Sequence, residues 1–282
     1  MTSPRRSVPR EDARILSLPP YKGEIAAAYA RPEVLALLAD PRKLLDAPAA
    51  EILLDSRNRV GAVTIAVGAA AAKEVVVKEY FSRGIKKLIS FFGPSKAEKA
   101  WRGALALKDA GFETPFPVAF LEKRDRGFVD KSFFIAERII GAREIRHLFR
   151  ELSAEDLRPL LAALARVLFR LHEKGIYHLD LSDGNILVEG GAGDAHFYFL
   201  DTNRVRRRGK IGAAGRAKNL VRLGVPAALR MDFLNSYAAA ADRPLRKSFV
   251  FWYKLSKSTF SARLRFKKAL RLRALAKKLK LQ

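Results

Sequence analysis

Apolar positions change period twice along this chain, and the changes divide it. From Glu51 to Tyr80, EILLDSRNRVGAVTIAVGAAAAKEVVVKEY reads as three strands separated by turns. Val60, Val63, Ile65 and Val67 are strand formers, as are Val75, Val76 and Val77, and Asp55 to Asn58 is a turn cluster. Residues 95–110 then predict a helix stopped by Gly111, with Glu98, Trp101 and Leu105 on one face. Thr114 to Pro117 breaks the chain. Val118–Leu121 and Ser132–Ile140 read as strands, with a turn over 123–130 and a stop at Gly141. Leu157, Leu160, Leu161, Leu164, Val167, Leu168 and Leu171 keep helical spacing almost all round, the mark of a buried helix. Ser153 or Asp156 caps that helix. Pro159 favours the later start, and Gly175 ends it. Ile186–Val188 and Phe197–Leu200 are short β runs. The tail from Phe249 is made of helix formers, but its basic and apolar residues do not sort onto separate faces.

This order predicts an α+β fold: a strand-rich first part with one helix, then a mainly helical second part. The expected divisions are a loose leader with a short helix (1–50), a β-rich nucleotide-binding lobe (51–141), a helical catalytic lobe (142–248) and a basic, apolar tail (249–282). The short helix falls at Arg31 to Asp40, with Pro32 in its first turn.

Composition narrows the class. The chain has 282 residues, 49% of them hydrophobic, enough for a sizeable core in one large domain or in two lobes sharing a cleft. No apolar run is long enough to span a bilayer, and the basic start leads into no signal-peptide core. There is no cysteine, which excludes disulfides and thiolate metal sites. Lys and Arg number 54 against 29 acids, a net charge of +25. Such a chain seeks polyanions: anionic lipid, a phosphorylated glycan or nucleic acid. The basic stretch Arg204 to Lys218 lacks the periodic aromatic residues that single-strand binding uses, which disfavours nucleic acid.

Within this frame the chemistry concentrates in YHLDLSDGNILVE. His178, Asp180 and Asn185 have the spacing H-x-D-x-x-x-x-N of a phosphotransfer loop, in which an acid receives a hydroxyl proton and an amide faces a metal ion. Asp201 closes the aromatic strand Phe197–Leu200, a second place for a metal-binding carboxylate. Lys78, at the end of V-V-V-K, is placed to hold α- and β-phosphates, and Glu98 to anchor it. Ser56, Arg57 and Asn58 form a hairpin turn able to cover phosphates. Backbone groups around Glu137 and Ile139 are placed for an adenine edge. Arg204 to Lys218 reads as a basic loop for an anionic acceptor.

These pieces, in this order, resemble the lipopolysaccharide core kinases of Gram-negative bacteria: the Kdo and heptose kinase group, InaA-like members of the protein-kinase-like superfamily. The matching blocks are ILLDSRNRVGAVTIAV with VVVKEY, SKAEKAWRGALALKDAGFETPFPVAF, FFIAERIIGA, HLDLSDGNILV and FLDTNRVR. The resemblance implies a two-lobed kinase-like fold and transfer of phosphate from ATP, with Mg2+, to a Kdo or heptose hydroxyl of the inner core or a lipid A precursor. By position it makes Lys78 the phosphate holder, Glu98 its anchor, Asp180 the acid/base, Asn185 and Asp201 the metal ligands, and His178 a brace for the loop. It also implies work at the anionic inner face of the inner membrane, with the basic tail as a candidate contact.

The chain departs from protein kinases at three points. Leu179 stands for the arginine before the catalytic acid, Ser182 for the lysine two residues after it, and Asp201-Thr202-Asn203 for Asp-Phe-Gly. These count against the rival reading as a protein kinase. A second rival, a pseudokinase that binds membrane or nucleic acid, has the intact Lys78, Asp180, Asn185 and Asp201 against it.

Overall fold

A computed structural model describes residues 13–279 except 57, 69–70, 82–83, 192, 243 and 245, and the side chains of 85, 86 and 270–279 fall outside it. The chain forms two compact units. The first holds residues up to Ala142 with Leu187–Glu189 and His196–Arg207, and the second holds the rest.

The first unit is built on a seven-stranded sheet. Its elements are β1 (Ala13–Leu18), β2 (Tyr21–Ala26), α1 (Pro32–Leu38), α2 (Pro41–Asp46), β3 (Glu51–Asp55), β4 (Asn58–Ala66), β5 (Ala72–Phe81), α3 (Ile85–Ile89), α4 (Lys96–Asp109), β6 (Pro117–Asp125) and β7 (Phe128–Glu137). The sheet order is β1-β2-β6-β7-β5-β4-β3. The three strands expected between Glu51 and Tyr80 are β3, β4 and β5, with Val63, Ile65, Val75 and Val77 turned into the core. Lys78 lies inside β5, opposite Phe134 of β7, and the strand runs three residues past it to Phe81.

Residues 13–26 correct the expectation of a loose leader. They form a hairpin that joins the sheet edge, with Ile25 opposite Ala119 of β6, and Leu16, Tyr21 and Ile25 are buried. Pro41 lies just past the end of α1 and also opens α2, because a proline at the first helical position gives up no hydrogen bond.

Helix α4 begins at the expected cap. Ser95 Oγ accepts the Glu98 amide at 3.0 Å, a cap that contributes about 1 kcal/mol. Ala97, Ala100, Trp101, Ala104 and Leu107 form its buried face, and Trp101 donates from Nε1 to Glu24 of β2 at 2.9 Å.

The second unit is mainly helical: α5 (Ile145–Glu151), α6 (Ala154–Glu173), α7 (Ala213–Leu220), α8 (Arg230–Ala239) and α9 (Lys247–Leu279). Ser153, not Asp156, caps α6, accepting the Asp156 amide at 3.1 Å, so Pro159 lies within the helix rather than setting its start. The leucines at 157, 160, 161, 164, 168 and 171 are buried as the spacing requires. Helix α9 starts two residues before the expected tail. It packs its first half through Phe249 and Tyr253, while Leu264 and Phe266 farther along are exposed.

Candidate active site

Lys78 and Asp201 both lie in the first unit. Four contacts fix the aspartate. The Phe199 amide donates to Glu113 O at 3.0 Å, and Thr114 Oγ1 donates to Phe199 O at 2.7 Å, stitching the strand His196–Phe199 to the turn before β6. On its other side Thr202 Oγ1 donates to Ala100 O of α4 at 2.7 Å. Gly103 makes this approach possible, since a Cβ there would stand 2.0 Å from Thr202 O. Asp201 itself is left-handed (φ 52°, ψ 45°), a conformation Asp tolerates better than most residues. Its Oδ1 accepts from Lys78 Nζ, across 123 residues of sequence.

The loop of His178, Asp180 and Asn185 lies in the second unit. The loop braces itself. His178 is buried, and its Nδ1 accepts the Asp180 amide at 3.1 Å. Asn185 Nδ2 donates to Asp180 O at 2.8 Å, which leaves the amide oxygen as the atom able to meet a cation. Gly184 accommodates Arg146 of α5, whose Nη2 lies 1.2 Å from where a Cβ would be.

Behind the loop runs a buried polar chain. Asn219 of α7 donates from Nδ2 to His178 O at 2.7 Å, and His172 of α6 bridges Asn219 Oδ1 (3.0 Å) and the Tyr237 hydroxyl (2.6 Å). Burial lowers the His172 pKa to about 4, against the opposing pull of the Asn219 hydrogen bond, and burial also raises that of Tyr237. Both groups are therefore neutral near pH 7, as an unbroken donor–acceptor chain requires.

Residues 49–236, about two thirds of the chain, match the model of the lipopolysaccharide kinase (Kdo/WaaP) family. The chain belongs to this family. As a lipopolysaccharide kinase it is a phosphotransferase of lipopolysaccharide biosynthesis. Among solved structures it is similar to "WaaP in complex with acyl carrier protein", with 20% identity, a TM-score of 0.55, and coverage of 78% of this chain and 92% of that one. That likeness shows the kinase-like α+β fold. A structure of the bifunctional kinase-methyltransferase WbdD is similar at 16% identity and a TM-score of 0.42, over 73% of this chain and 43% of that one. No curated protein sequence matches the chain.

The kinase differs from the sequence expectation in its lysine partner. Glu98 faces Arg102, one helical turn along α4, and among the described residues it makes no pair with Lys78. The reason is geometric: Glu98 sits in the first turn of α4, while the face that packs toward Asp201 is formed farther along, at Ala100 and Gly103. Burial raises the Glu98 pKa, with Arg102 opposing.

Of the predicted hairpin turn, Ser56 and Asn58 are joined by Ser56 N–H donating to Asn58 O at 3.1 Å, and Arg57 lies outside the described residues. At the end of β7 the Glu137 amide donates to Phe116 O (2.8 Å) and the Arg138 amide to Glu74 O (2.9 Å). Among the described residues, Ile139 carries the first backbone N–H past β7 without a backbone acceptor. The expected basic loop of 204–218 is instead a short strand Val205–Arg207 and then α7. Several of its cations are already engaged: Arg207 with Asp109, Arg216 with Glu173, and Arg208 over the Tyr177 ring at 4.6 Å.

One functional candidate escaped the sequence reading. Arg222, in the turn after α7, donates from Nη2 to Asp180 Oδ1. Its guanidinium also lies 5.5 Å from the ring centroid of Phe260 on α9.

Proposed function

We propose that this chain transfers the γ-phosphoryl group of ATP to a hydroxyl of Kdo or heptose in the lipopolysaccharide inner core or a lipid A precursor, at the inner face of the inner membrane. The observation that carries the reading is the Lys78–Asp201 pair, a cation and an acid brought together from distant strands in kinase order. Lys78 would turn from Asp201 to the α- and β-phosphates. The Glu137 carbonyl and Ile139 N–H would hold the adenine edge, and the Ser56–Asn58 turn would cover the phosphates.

Asp180 would receive the proton of the acceptor hydroxyl on Oδ2, since Arg222 engages Oδ1. As the sugar oxygen bonds to the γ-phosphorus, the bond from that phosphorus to the β–γ bridging oxygen breaks and ADP leaves. Asp201 and the Asn185 amide oxygen are hard oxygen donors of the kind Mg2+ takes, and among the described residues no three His, Cys or acidic side chains form a closed metal site. Held by such donors, Mg2+ would neutralise phosphate charge.

Among the described residues no helix is long and apolar enough to cross a membrane. The net charge of +25 and the exposed Leu264 and Phe266 of α9 support a peripheral association with an anionic leaflet.

The test is ATP-dependent phosphorylation of purified core oligosaccharide, followed by mass spectrometry of the product. A gain of one phosphate on Kdo or heptose is expected, and Asp180→Ala should abolish it while ATP still binds. Normal turnover by Asp180→Ala would reject the mechanism.

A further inference from the structure

The segment between β5 and α4 carries more bulky apolar surface than the fold uses. Leu88, Ile89, Phe91 and Phe92 are 61, 65, 49 and 89% exposed. Large apolar side chains adjacent on a surface mark a contact site.

This knuckle is built rather than loose. Helix α3 runs into one 3-10 turn, Ser90–Phe92. The Phe91 ring lies 5.0 Å from Phe92 and 5.1 Å from Phe128, centroid to centroid. It also covers Gly127, where a Cβ would stand 2.6 Å from it and where φ of +86° favours glycine. Arg124 donates to three carbonyls of the tip and its neighbouring turn: Ser90 at 3.1 Å, Gly127 at 3.0 Å and Gly93 at 3.2 Å. Ser90 Oγ donates to Lys87 O at 2.5 Å and accepts the Val129 amide at 3.0 Å.

The tip thus projects hydrocarbon while the carbonyls of Lys87, Ser90, Gly93 and Gly127 are satisfied from within. A protein interface would call on about one hydrogen bond per 100–200 Å². The apolar boundary of a bilayer instead penalises each unpaired backbone group. Charge points the same way. Residues 81–93, FSRGIKKLISFFG, contain Arg83, Lys86 and Lys87 and no acid, while Asp125 and Arg126 on the neighbouring turn offset each other. Basic residues beside an apolar tip suit anionic headgroups.

We infer that residues 88–92 insert into an anionic lipid surface and seat the first unit on it. The inference goes beyond the transferase reading and stands without it.

The test uses the full chain with vesicles of phosphatidylethanolamine and phosphatidylglycerol, and with vesicles of phosphatidylcholine alone. The protein should sediment with the anionic vesicles. The double variant Ile89→Ser/Phe92→Ser, altered only at exposed positions, should partition roughly tenfold more weakly. Its turnover of a delipidated, water-soluble oligosaccharide should be unchanged. The fluorescence of Phe92→Trp, read against the Trp101 and Trp252 baseline of the parent chain, should shift to the blue on anionic vesicles and be quenched by nitroxide lipids. Wild-type partitioning by the double variant would overturn the inference. So would an unshifted emission from a vesicle-bound Phe92→Trp chain, or a dimer lost in the double variant while vesicle binding persists. A parent chain that binds vesicles but phosphorylates nothing would reject the transferase reading and leave the knuckle standing.

Discussion

Arg222 donates to the Asp180 carboxylate from 42 residues farther along the chain, within the second unit. The position two residues after Asp180 holds Ser182, where protein kinases have a lysine. Arg222 therefore brings a cation to the acid from another element. It is held in turn by α9, through Phe260 at 5.5 Å and through Lys257 Nζ, which donates to Val221 O at 3.1 Å.

Replacing Arg222 by Met should release the Asp180 carboxylate. A misplaced acid costs up to about 100-fold in rate, so kcat should fall by about 10–100-fold with little change in KM for ATP. Arg222→Lys should recover part of the loss. Steady-state kinetics on both variants checks this, and an unchanged kcat in Arg222→Met would exclude a positioning role.

Glu98 is paired with Arg102 and Lys78 with Asp201, so their substitutions should differ sharply. Glu98→Gln should leave kcat/KM within about threefold of wild type, because an exposed-edge ion pair contributes at most ~1 kcal/mol. Lys78→Met should remove activity. Equal losses in the two variants would restore Glu98 as the lysine's anchor in the nucleotide-bound state.

The notch at Gly103 makes a stability prediction. In Gly103→Ala the new Cβ would meet backbone, Thr202 O at 2.0 Å, which cannot rotate aside. A loss of about 1–3 kcal/mol is expected from overpacking, with activity lost alongside because Asp201 adjoins Thr202. Urea unfolding measures the first effect. Thr202→Val, which removes only the hydrogen bond to Ala100, should cost about 1 kcal/mol.

His172 sets a pH dependence of stability. Its folded pKa is about 4, below the ordinary value of 6.5. The unfolded chain therefore binds the proton first as pH falls. The stabilisation is complete above about pH 6.5 and is lost progressively down to about pH 4, on the order of 3 kcal/mol in all. Tyr237, Asn219, Arg216 and Glu173 surround the ring and hold it in place. Thermal midpoints at pH 7.5 and 5 should differ in the parent chain, and His172→Gln should flatten that difference.

The strands of the first unit were readable because β-branched and aromatic runs between turn residues leave few alternatives, as at Val75–Val77 and Phe133–Ile135. The hairpin of β1 and β2 was not, since its buried Leu16, Tyr21 and Ile25 are interrupted by Pro19, Pro20 and Gly23. Proline misled at 159, because a residue that favours a helix's first turn is here tolerated inside α6. In the site, the candidates Asp180 and Asn185 were legible from their spacing and Asp201 from its place at the end of an aromatic strand. Their partners were not. Arg222 is one of 54 cations, and nothing local distinguishes it, since its meaning depends on a fold-level encounter. Glu98 illustrates the converse: helical spacing gives a face, but not which residue on that face reaches a distant strand, and here it pairs with Arg102.

The close seat of Thr202 against Gly103 has a regulatory corollary. Many kinases are silenced by swinging the helix that borders the nucleotide away from the metal-binding acid. Here that helix and the backbone beside Asp201 interlock through a missing methyl group, so the two would have to travel together. Moving that helix alone would then not switch such an enzyme off, and its output would follow the arrival of acceptor and nucleotide.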